Sequence, residues 1–462
     1  MRTIKALSTL AAPILTAAAF AAFSEVSAQE TSPVNYYLRA SGYYADLTNP
    51  EYSKPFWSLS DSEQVTPDDL PGSNAAIIID RTNYVEDTGG YIANARGDFY
   101  NDASYYSITA TVNTELNMVG SLTLAENFSI TSSSDTAYSS SNDSIKQLRL
   151  VAQTENFLNV GGDMTLSTDK YFTSRISLFQ ASTLRVGGAL QFNYAGAADA
   201  EGYHAFDMSD MNASSTGASF TLNLGGLASS GRAVYMTSAH SVAANFIFSN
   251  SDAGAFKGGS FEGVFATDSS VSSTLTFTMN GSGRQSVTIY SAANAAEHGI
   301  SGVGDKKDMT IDSVSANSGE LIFNSEIAIN TVTLDGGSLK LTASAGVRDF
   351  IINAGSLIYG GTIRADSFTV AAVDEIKIVF SAEDLALHEL VLVEYGYLGE
   401  SFDPNSIFVA YDESGNKLGG EFSLTGEIGG SGSLIYTVPE PAAFAAAIGA
   451  LALAAAFARR EK

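Results

Sequence analysis

Three segments share one pattern that decides the expected fold: VSANSGELIF from Val314 to Phe323, VTLDGGSLKL from Val332 to Leu341, and FIINAGSLIY from Phe350 to Tyr359. They follow one another at a constant spacing, with a glycine and a leucine at matching positions. Alternating apolar and polar residues on either side of a glycine are typical of short β-strands joined by a tight step. A period of about 18 residues fits one coil of a parallel β-helix, in which every repeat adds a strand to each sheet.

Less regular units of the same kind precede these repeats. They are LNMVGSLTL at 116–124, LNVGGDMTL at 158–166, LRVGGALQF at 184–192 and LNLGGL at 222–227. The intervals between their first leucines are unequal. Loops or extra coils are therefore expected between them, above all at segments 131–144 and 195–217. The sequence predicts an all-β fold in which residues 113–374 form an irregular parallel β-helix, or β-solenoid.

The regions on either side of the repeats are predicted to close the two ends of the solenoid. Residues 29–112 are Tyr-rich and are expected to form an N-terminal cap, with Ala75 to Ile79 as the strand that leads into the repeats. Residues 375–437 are expected to form a C-terminal β segment, with Asp412 to Asn416 as a hairpin turn. That stretch could also be a calcium loop, but it lacks the ligand spacing and the distal glutamate. No metal or cofactor site is predicted.

Charge and cysteine content restrict the classes of partner and site. The chain has 50 acidic and 24 basic residues, a formal net charge of −26, and no cysteine. A strongly acidic protein repels phosphate backbones, so nucleic acid is not an expected partner. Disulfides and thiolate metal sites are excluded by composition.

Residues 1–28 have the organisation of a secretory signal peptide. Arg2 and Lys5 are basic, an apolar stretch from Ala6 to Phe23 follows, and Val26 and Ala28 are small residues placed for cleavage before Gln29. An uncleaved membrane helix is the alternative interpretation. Polar residues within the stretch and the small-residue site directly after it favour cleavage, so signal peptidase is an expected processing partner.

Residues 438–462, the end of the chain, have three parts in a fixed order. Val438, Pro439, Glu440 and Pro441 come first, an uncharged Ala-rich stretch occupies 442–458, and a basic end with Arg459, Arg460 and Lys462 closes the chain. As a helix, the Ala-rich stretch rises about 26 Å, just enough to span a thin hydrocarbon core. The basic end is expected to stay on the cytoplasmic side. A plain tail anchor is the alternative.

This tail, residues 438–462, resembles the PEP-CTERM sorting signal of Gram-negative bacteria. The resemblance implies that Pro439, Glu440 and Pro441 are the recognition element of exosortase, a membrane-embedded transpeptidase-like enzyme, and that the helix is a transient anchor. The resemblance concerns the tail alone. The irregular body, with its Gly-containing strands, is similar to the passenger regions of autotransporters, but no terminal membrane barrel follows it in the sequence.

No arrangement of residues in the sequence indicates catalysis. His204, His240, His298 and His388 share no local motif, and the zinc-protease pattern that begins at His388-Glu389 has Leu392 in place of its second histidine. Carboxylate pairs such as Glu383-Asp384 are expected in so acidic a chain, and neighbouring acids on a strand point to opposite faces. Phe256, Phe261 and Phe265 could stack on sugars, although packing under a loop is the preferred interpretation. We predict no catalytic residues.

The sequence thus predicts a structural or adhesive protein that is exported across the inner membrane. It is not expected to be an enzyme. The resemblance implies transient retention in that membrane, processing by exosortase, and delivery to the cell surface, outer envelope or extracellular matrix. Exopolysaccharide or other glycans are candidate partners. The alternative is a β-helical polysaccharide-binding or polysaccharide-degrading protein.

Overall fold

The structure is a computed structural model that describes residues 256–300, 303–343, 345–371 and 375–439, together with shorter segments nearer the N-terminus. Those segments are 34–38, 57–60, 65, 68, 75–80, 92–93, 99–100, 122–124, 128–131, 146–152, 157–168, 172–178, 183–194, 205–207, 218–230, 234–238 and 241–249. The chain is mostly β, as predicted, and most of the described strands belong to one large, mostly parallel sheet.

The strands are numbered in chain order. They are β1 Val34–Leu38, β2 Trp57–Ser58, β3 Ala75–Asp80, β4 Ile92–Ala93, β5 Phe99–Tyr100, β6 Leu122–Leu124, β7 Phe128–Thr131, β8 Lys146–Ala152, β9 Phe157–Val160, β10 Met164–Thr168, β11 Phe172–Leu178, β12 Thr183–Tyr194, β13 Ala205–Asp207, β14 Ala218–Ser230 and β15 Val234–Ser238. They continue as β16 Val242–Phe248, β17 Gly259–Thr267, β18 Thr274–Met279, β19 Arg284–Tyr290, β20 Lys307–Asp308, β21 Thr310–Ala316, β22 Glu320–Ser325, β23 Ile329–Ala343, β24 Val347–Ile358, β25 Ile363–Val370, β26 Ile376–Phe380, β27 Glu389–Leu398, β28 Phe408–Asp412, β29 Glu421–Thr425 and β30 Gly432–Thr437. Short 3-10 helices span Ala292–His298 and Asp384–Ala386, and one α-helical turn spans Pro404–Ile407.

Parallel pairing organises the described strands into three ladders. The first ladder runs through β6, β9, β12, β14, β16, β18, β21, β23, β24, β25 and β27. The second runs through β1, β3, β7, β10, β12 and β14, and resumes through β17, β19, β22, β23, β24, β26 and β28. The third contains β8, β11, β13, β15 and the end of β17. The long strands β12, β14, β23 and β24 contribute one half to each of the first two ladders.

The third ladder ends where β20 pairs antiparallel with the end of β17. Ala295 of the 3-10 helix Ala292–His298 packs there in a small apolar cluster with Val264, Ala266, Ile300 and Val303. These residues cover the last strand of the third ladder. Beyond this point, the described parallel strands belong to the first and second ladders alone.

The regular repeats pair in register, as predicted from their spacing. In the first ladder Val314 pairs with Val332, Val332 with Phe350, and Phe350 with Phe368. In the second, Leu321 pairs with Leu339 and Leu339 with Leu357. All of these side chains are buried, at most 2% exposed. Polar residues of the opposite face bond between repeats, as Asn330 Nδ2 does to Asp312 Oδ1 at 3.3 Å.

Aromatic rings stack along the buried interior. Phe277 is fully buried and contacts three other rings: it is stacked on Phe246, with ring centroids 5.0 Å apart, and packs against Phe323 at 5.1 Å and Phe265 at 5.9 Å. Because parallel pairing sets equivalent residues of successive strands side by side, an aromatic residue repeated in the pattern meets its counterpart in the next strand.

Glycines form the corner between the first and second ladders. A Cβ atom on Gly319 would lie less than 3.0 Å from the carbonyl oxygens of Gly281 and Gly283, and one on Gly355 equally close to the oxygen of Gly337. Gly319 and Gly355 have φ values of 58° and 107°, as the role of a glycine step requires. In the middle repeat the positive φ falls on Gly336 (112°), one residue before Gly337, which is at the position equivalent to Gly319 and Gly355.

A buried glutamine closes the interval in the second ladder between β14 and β17. Gln285 is fully buried, its Nε2 donates to Leu227 O at 2.8 Å, and its Oε1 accepts from Leu227 N at 2.9 Å. The side-chain amide therefore satisfies both backbone groups of a residue that a paired strand would otherwise satisfy.

Two details of the predicted repeat alignment are wrong. Leu158 pairs with Leu122 and not with Leu116, so the first unit is shifted by six residues. The reason is that no glycine follows Leu122-Thr123-Leu124 in the sequence before Phe128, so the alignment was placed on Gly120, which precedes this strand. Segment 195–217 also holds β13, a strand of the third ladder, and is not only an insertion.

Both flanking regions take part in the ladders. The strand predicted to lead into the repeats is present as β3, which pairs in parallel with β7, and β1 extends the ladder beyond it. At the other end, parallel pairing continues past residue 374 through β26 to β28. The division of the chain at residues 28, 112, 374 and 437 stays a prediction. The Asp412–Asn416 stretch is a hairpin turn, as expected: Tyr411 and Lys417 form an antiparallel bridge, and Asp412 Oδ1 accepts from Asn416 N at 2.7 Å.

Candidate functional site

The end of the folded body holds the first residues of the predicted sorting motif. Strand β30 lies between β27 and β29 in an antiparallel arrangement, and Thr437 pairs with Glu389 on one side and Glu421 on the other. The pairing continues one residue further, because Val438 N donates to His388 O at 3.0 Å. We call this arrangement, from Tyr436 to Pro439, the tail root.

Side chains of the tail root are packed against the body. Tyr436 is fully buried, is stacked on Phe380 at 4.7 Å, and donates its hydroxyl to Gly419 O. Val438 is partly buried against the core. The Pro439 ring lies over Gly419, where an added Cβ would be 3.4 Å from its Cγ. The motif therefore begins with no spacer after the last strand.

The other residues predicted for sorting and processing lie outside the described residues. These are Glu440, Pro441, Arg459, Arg460 and Lys462 of the tail, and Val26, Ala28 and Gln29 at the expected signal cleavage site. The described part of the chain has no helix that is both long and apolar enough to cross a membrane, and the predicted span 442–458 falls outside that part.

A polar cluster near the end of the third ladder was not predicted as a unit. The His298 ring is stacked on Tyr290 with centroids 3.6 Å apart, and its Nε2 lies 3.0 Å from Glu326 Oε1. Glu326 Oε2 also accepts from Ser291 N at 2.9 Å and from Asn294 Nδ2 at 3.1 Å. These residues come from β19, the 3-10 helix and the end of β22, so only the fold brings them together.

Burial and hydrogen bonding together shift the pKa values of two groups in this cluster. Partial desolvation raises the pKa of Glu326, but the bonds from Ser291, Asn294 and His298 outweigh it and lower the pKa below its usual value. Burial, followed by the hydrogen bond to Glu262 and the charges of Glu262 and Glu326, raises the pKa of Tyr290 to about 12. The Tyr290 hydroxyl therefore stays protonated and donates to Glu262 Oε2 at 2.9 Å. The arrangement attaches the 3-10 helix to the ladders.

We expect Glu326→Gln to reduce stability at neutral pH and not in acid. A carboxyl whose pKa is lowered on folding stabilises the protein above its unfolded pKa, and this contribution is lost as the pH falls through the folded pKa. Because Glu326 is partly exposed, the difference should be below about 1 kcal/mol at pH 7. Urea denaturation of wild type and variant at pH 7 and pH 3 measures it. Glu297→Gln, an exposed change on the same helix, is the control and should give little difference at either pH. An equal loss at both pH values for Glu326→Gln would contradict the prediction.

Residues considered for sugar binding or catalysis have structural roles. Phe261 and Phe265 are fully buried in the interior, so they pack, as preferred, but within the core and not under a loop. Asp384 Oδ2 accepts from Ser381 N and Oγ and so closes a turn. Leu392 is buried in β27, a strand, whereas the zinc-protease pattern requires a helix. His204 and His240 lie outside the described residues.

An open cleft of about 690 Å³ lies beside the edge strand β29. Its lining includes Leu398, Phe402, Asn405, Phe422, Glu427 and Ile428. The Asn405 amide bonds both backbone groups of Phe422, each at 2.8 Å, and so takes the place of a neighbouring strand at that residue. In the described part of the chain, no group of three His, Asp or Glu side chains could hold a metal ion.

Comparison with known proteins gives no relative: no family model, no curated protein and no solved structure matches this chain.

Proposed function

We propose that this chain is a non-catalytic exported surface or matrix protein, sorted by its C-terminal tail, whose body is a β-solenoid. The order of the tail carries the proposal: a Pro-Glu-Pro triplet, an apolar stretch and a basic end, directly after the last strand of the body. Two prolines hold such a segment extended and remove backbone donors, which suits recognition by an enzyme at the membrane surface.

The proposed solenoid is supported by the pairing of the repeats. Equivalent positions of the first ladder succeed one another at the repeat spacing in parallel register, and the glycine corner allows the chain to pass between ladders. Buried apolar residues and outward Asn, Ser and Thr give each repeat an inner and an outer face. A body of this kind is an extended scaffold, and its role is structural or adhesive at the surface or in an extracellular polysaccharide matrix.

The proposed partners follow from the two ends of the chain. Signal peptidase removes residues 1–28, exosortase acts at the tail in the inner membrane of a Gram-negative host, and the segment 442–458 is the temporary membrane anchor. The acidic body, which sets the net charge of −26, disfavours nucleic acid and is compatible with neutral glycans or cationic partners.

A substitution in the triplet tests sorting. In a host that encodes exosortase, Glu440→Gln together with Pro439→Ala and Pro441→Ala should leave the full-length chain in the membrane fraction, as followed by an epitope tag in the body. Glu461→Gln is the control, because it makes the same charge change behind the apolar stretch and should mature normally. Unchanged maturation and destination of the triplet variant would refute sorting by this signal.

The alternative is a polysaccharide-binding or polysaccharide-degrading protein. Of its three candidate aromatic residues, Phe261 and Phe265 are buried, and Phe256 is partly buried against the core. A sugar-release assay on the purified body separates the degrading activity from the structural or adhesive role, for which that assay should be negative, and a glycan array tests the body for specific glycan binding.

A further inference from the structure

We propose that the tail root is a lock on processing, so that the sorting enzyme acts only on chains in which the end of β30 is released from β27. This inference rests on the proposed sorting function and concerns when the tail can be processed.

The tail root is paired with a strand on each side, and its Tyr436 ring is packed in the core. Strand β30 is the central strand of the β27–β30–β29 arrangement, so its backbone groups alternate between two partners. The hydrogen bond from Val438 N to His388 O extends this pairing into the predicted motif. The Tyr436 ring, buried below, is in contact with Phe380 and Phe422 at 4.7 and 4.9 Å. Release of the root therefore requires a local opening of the sheet end.

Chain length keeps the recognition element close to this lock. Pro439 and Glu440 directly follow Val438 in the sequence, and even an extended chain spans at most about 3.6 Å per residue. An enzyme that binds a peptide in an extended conformation pairs with the backbone of several successive residues. The backbone N–H of Val438 already donates to the carbonyl oxygen of His388, and the Pro439 ring lies beside Gly419. Pairing of the tail root with the body and binding of the tail by the enzyme thus compete for the same residues, Val438 and Pro439.

An engineered disulfide tests the lock, since the chain contains no cysteine that could interfere. The Val438–His388 bond makes the adjacent Glu389–Thr437 pair a non-hydrogen-bonded one, in which antiparallel Cα atoms are about 4.5 Å apart, within the range of a disulfide. Both side chains are exposed. In the exosortase host, oxidised Glu389→Cys/Thr437→Cys should lose its tail roughly tenfold more slowly than wild type, because a cross-linked strand end cannot open locally.

Four kinds of control show whether the effect comes from the cross-linked tail root. Each single cysteine variant, and the double variant after brief reduction of the cells, should be processed at the wild-type rate. A six-residue Gly-Ser linker inserted between Thr437 and Val438 of the cross-linked variant frees the motif while leaving the disulfide in place, and should restore processing. The same linker between Ser414 and Gly415, in an exposed turn, should not restore it.

The outcomes separate the two proposals. If Glu440→Gln, with its flanking prolines replaced, matures normally, the sorting function itself fails. If that variant is blocked while the cross-linked variant matures at the wild-type rate, sorting stands and the lock is refuted. A cross-linked variant that is slow even with the linker after Thr437 would also refute the lock, because its defect would not come from the held root.

Discussion

Gly319→Ala is expected to reduce stability by about 4 kcal/mol or more, or to prevent folding, whereas Gly304→Ala should cost only about 1–2 kcal/mol. Both glycines have a φ of 58°, so at both positions an L-residue would have to adopt the unfavourable left-handed range of φ. They differ in their surroundings. A Cβ on Gly304 would have no atom within 4 Å, and one on Gly319 would collide with the carbonyl oxygens of Gly281 and Gly283.

The difference between the two variants isolates the close approach of backbone at the corner. Those oxygens belong to neighbouring backbone and not to a flexible side chain, so relief of the collision requires the ladders to separate. Urea denaturation followed by far-UV circular dichroism, on purified protein without residues 1–28 and 442–462, gives both free energies of unfolding. Equal losses in the two variants would show that the corner tolerates a side chain and that only the positive φ matters.

Phe277→Ala is the second large effect, with an expected loss of about 3–5 kcal/mol. The ring is fully buried and packs against Phe246, Phe265 and Phe323, so its removal leaves a cavity that rigid parallel strands cannot close. The same denaturation measurement applies.

Two matched changes test the explanation. Phe277→Leu keeps most of the side-chain volume. Apart from the contribution of the lost ring contacts, it should reduce the free energy of unfolding by about 1.5 kcal/mol or less. Tyr397→Ala removes a ring that is 50% exposed and should change stability by about 0.5 kcal/mol or less. A loss for Phe277→Ala no larger than that for Tyr397→Ala would mean that the aromatic stack does not support the body.

The regular repeats could be predicted from sequence because two signals coincide in them. Apolar alternation identified the buried face, and the glycines fixed the phase, so the pairs Val314–Val332 and Leu321–Leu339 follow from spacing alone. The third ladder gave no such coincidence. Its strands, such as β11 and β15, alternate weakly and have no glycine step beside them, so they were not distinguished from loops.

Long-range polar contacts could not be predicted, because nothing local marks them. Gln285 bonds to Leu227, 58 residues earlier in the chain, and a glutamine in an alternating strand is ordinarily a solvent-exposed residue. The cluster at His298 depends in the same way on Glu326, 28 residues away. No local motif identifies the partners of His298, because these residues become neighbours only after the ladders form.

Only part of the candidate site could be predicted from the sequence. The tail motif is local, so its residues could be named from Val438 onward. The attachment of the motif to the body was not predictable. Val438 N donates to the backbone carbonyl of His388, and the identity of a side chain gives no information about a backbone hydrogen bond. The position of the motif directly after a central strand is a property of the folded body.

Register in the first ladder also bears on how such a chain changes in length over generations. Equivalent positions of successive repeats pair with one another along this ladder, in the order Val314, Val332, Phe350 and Phe368. A duplicated gene segment of one period would place a new unit between two surfaces that it already fits, and loss of one period would rejoin matching surfaces. The length of the first ladder could thus be altered in increments of one strand spacing, about 4.8 Å per repeat, without redesign of the interior.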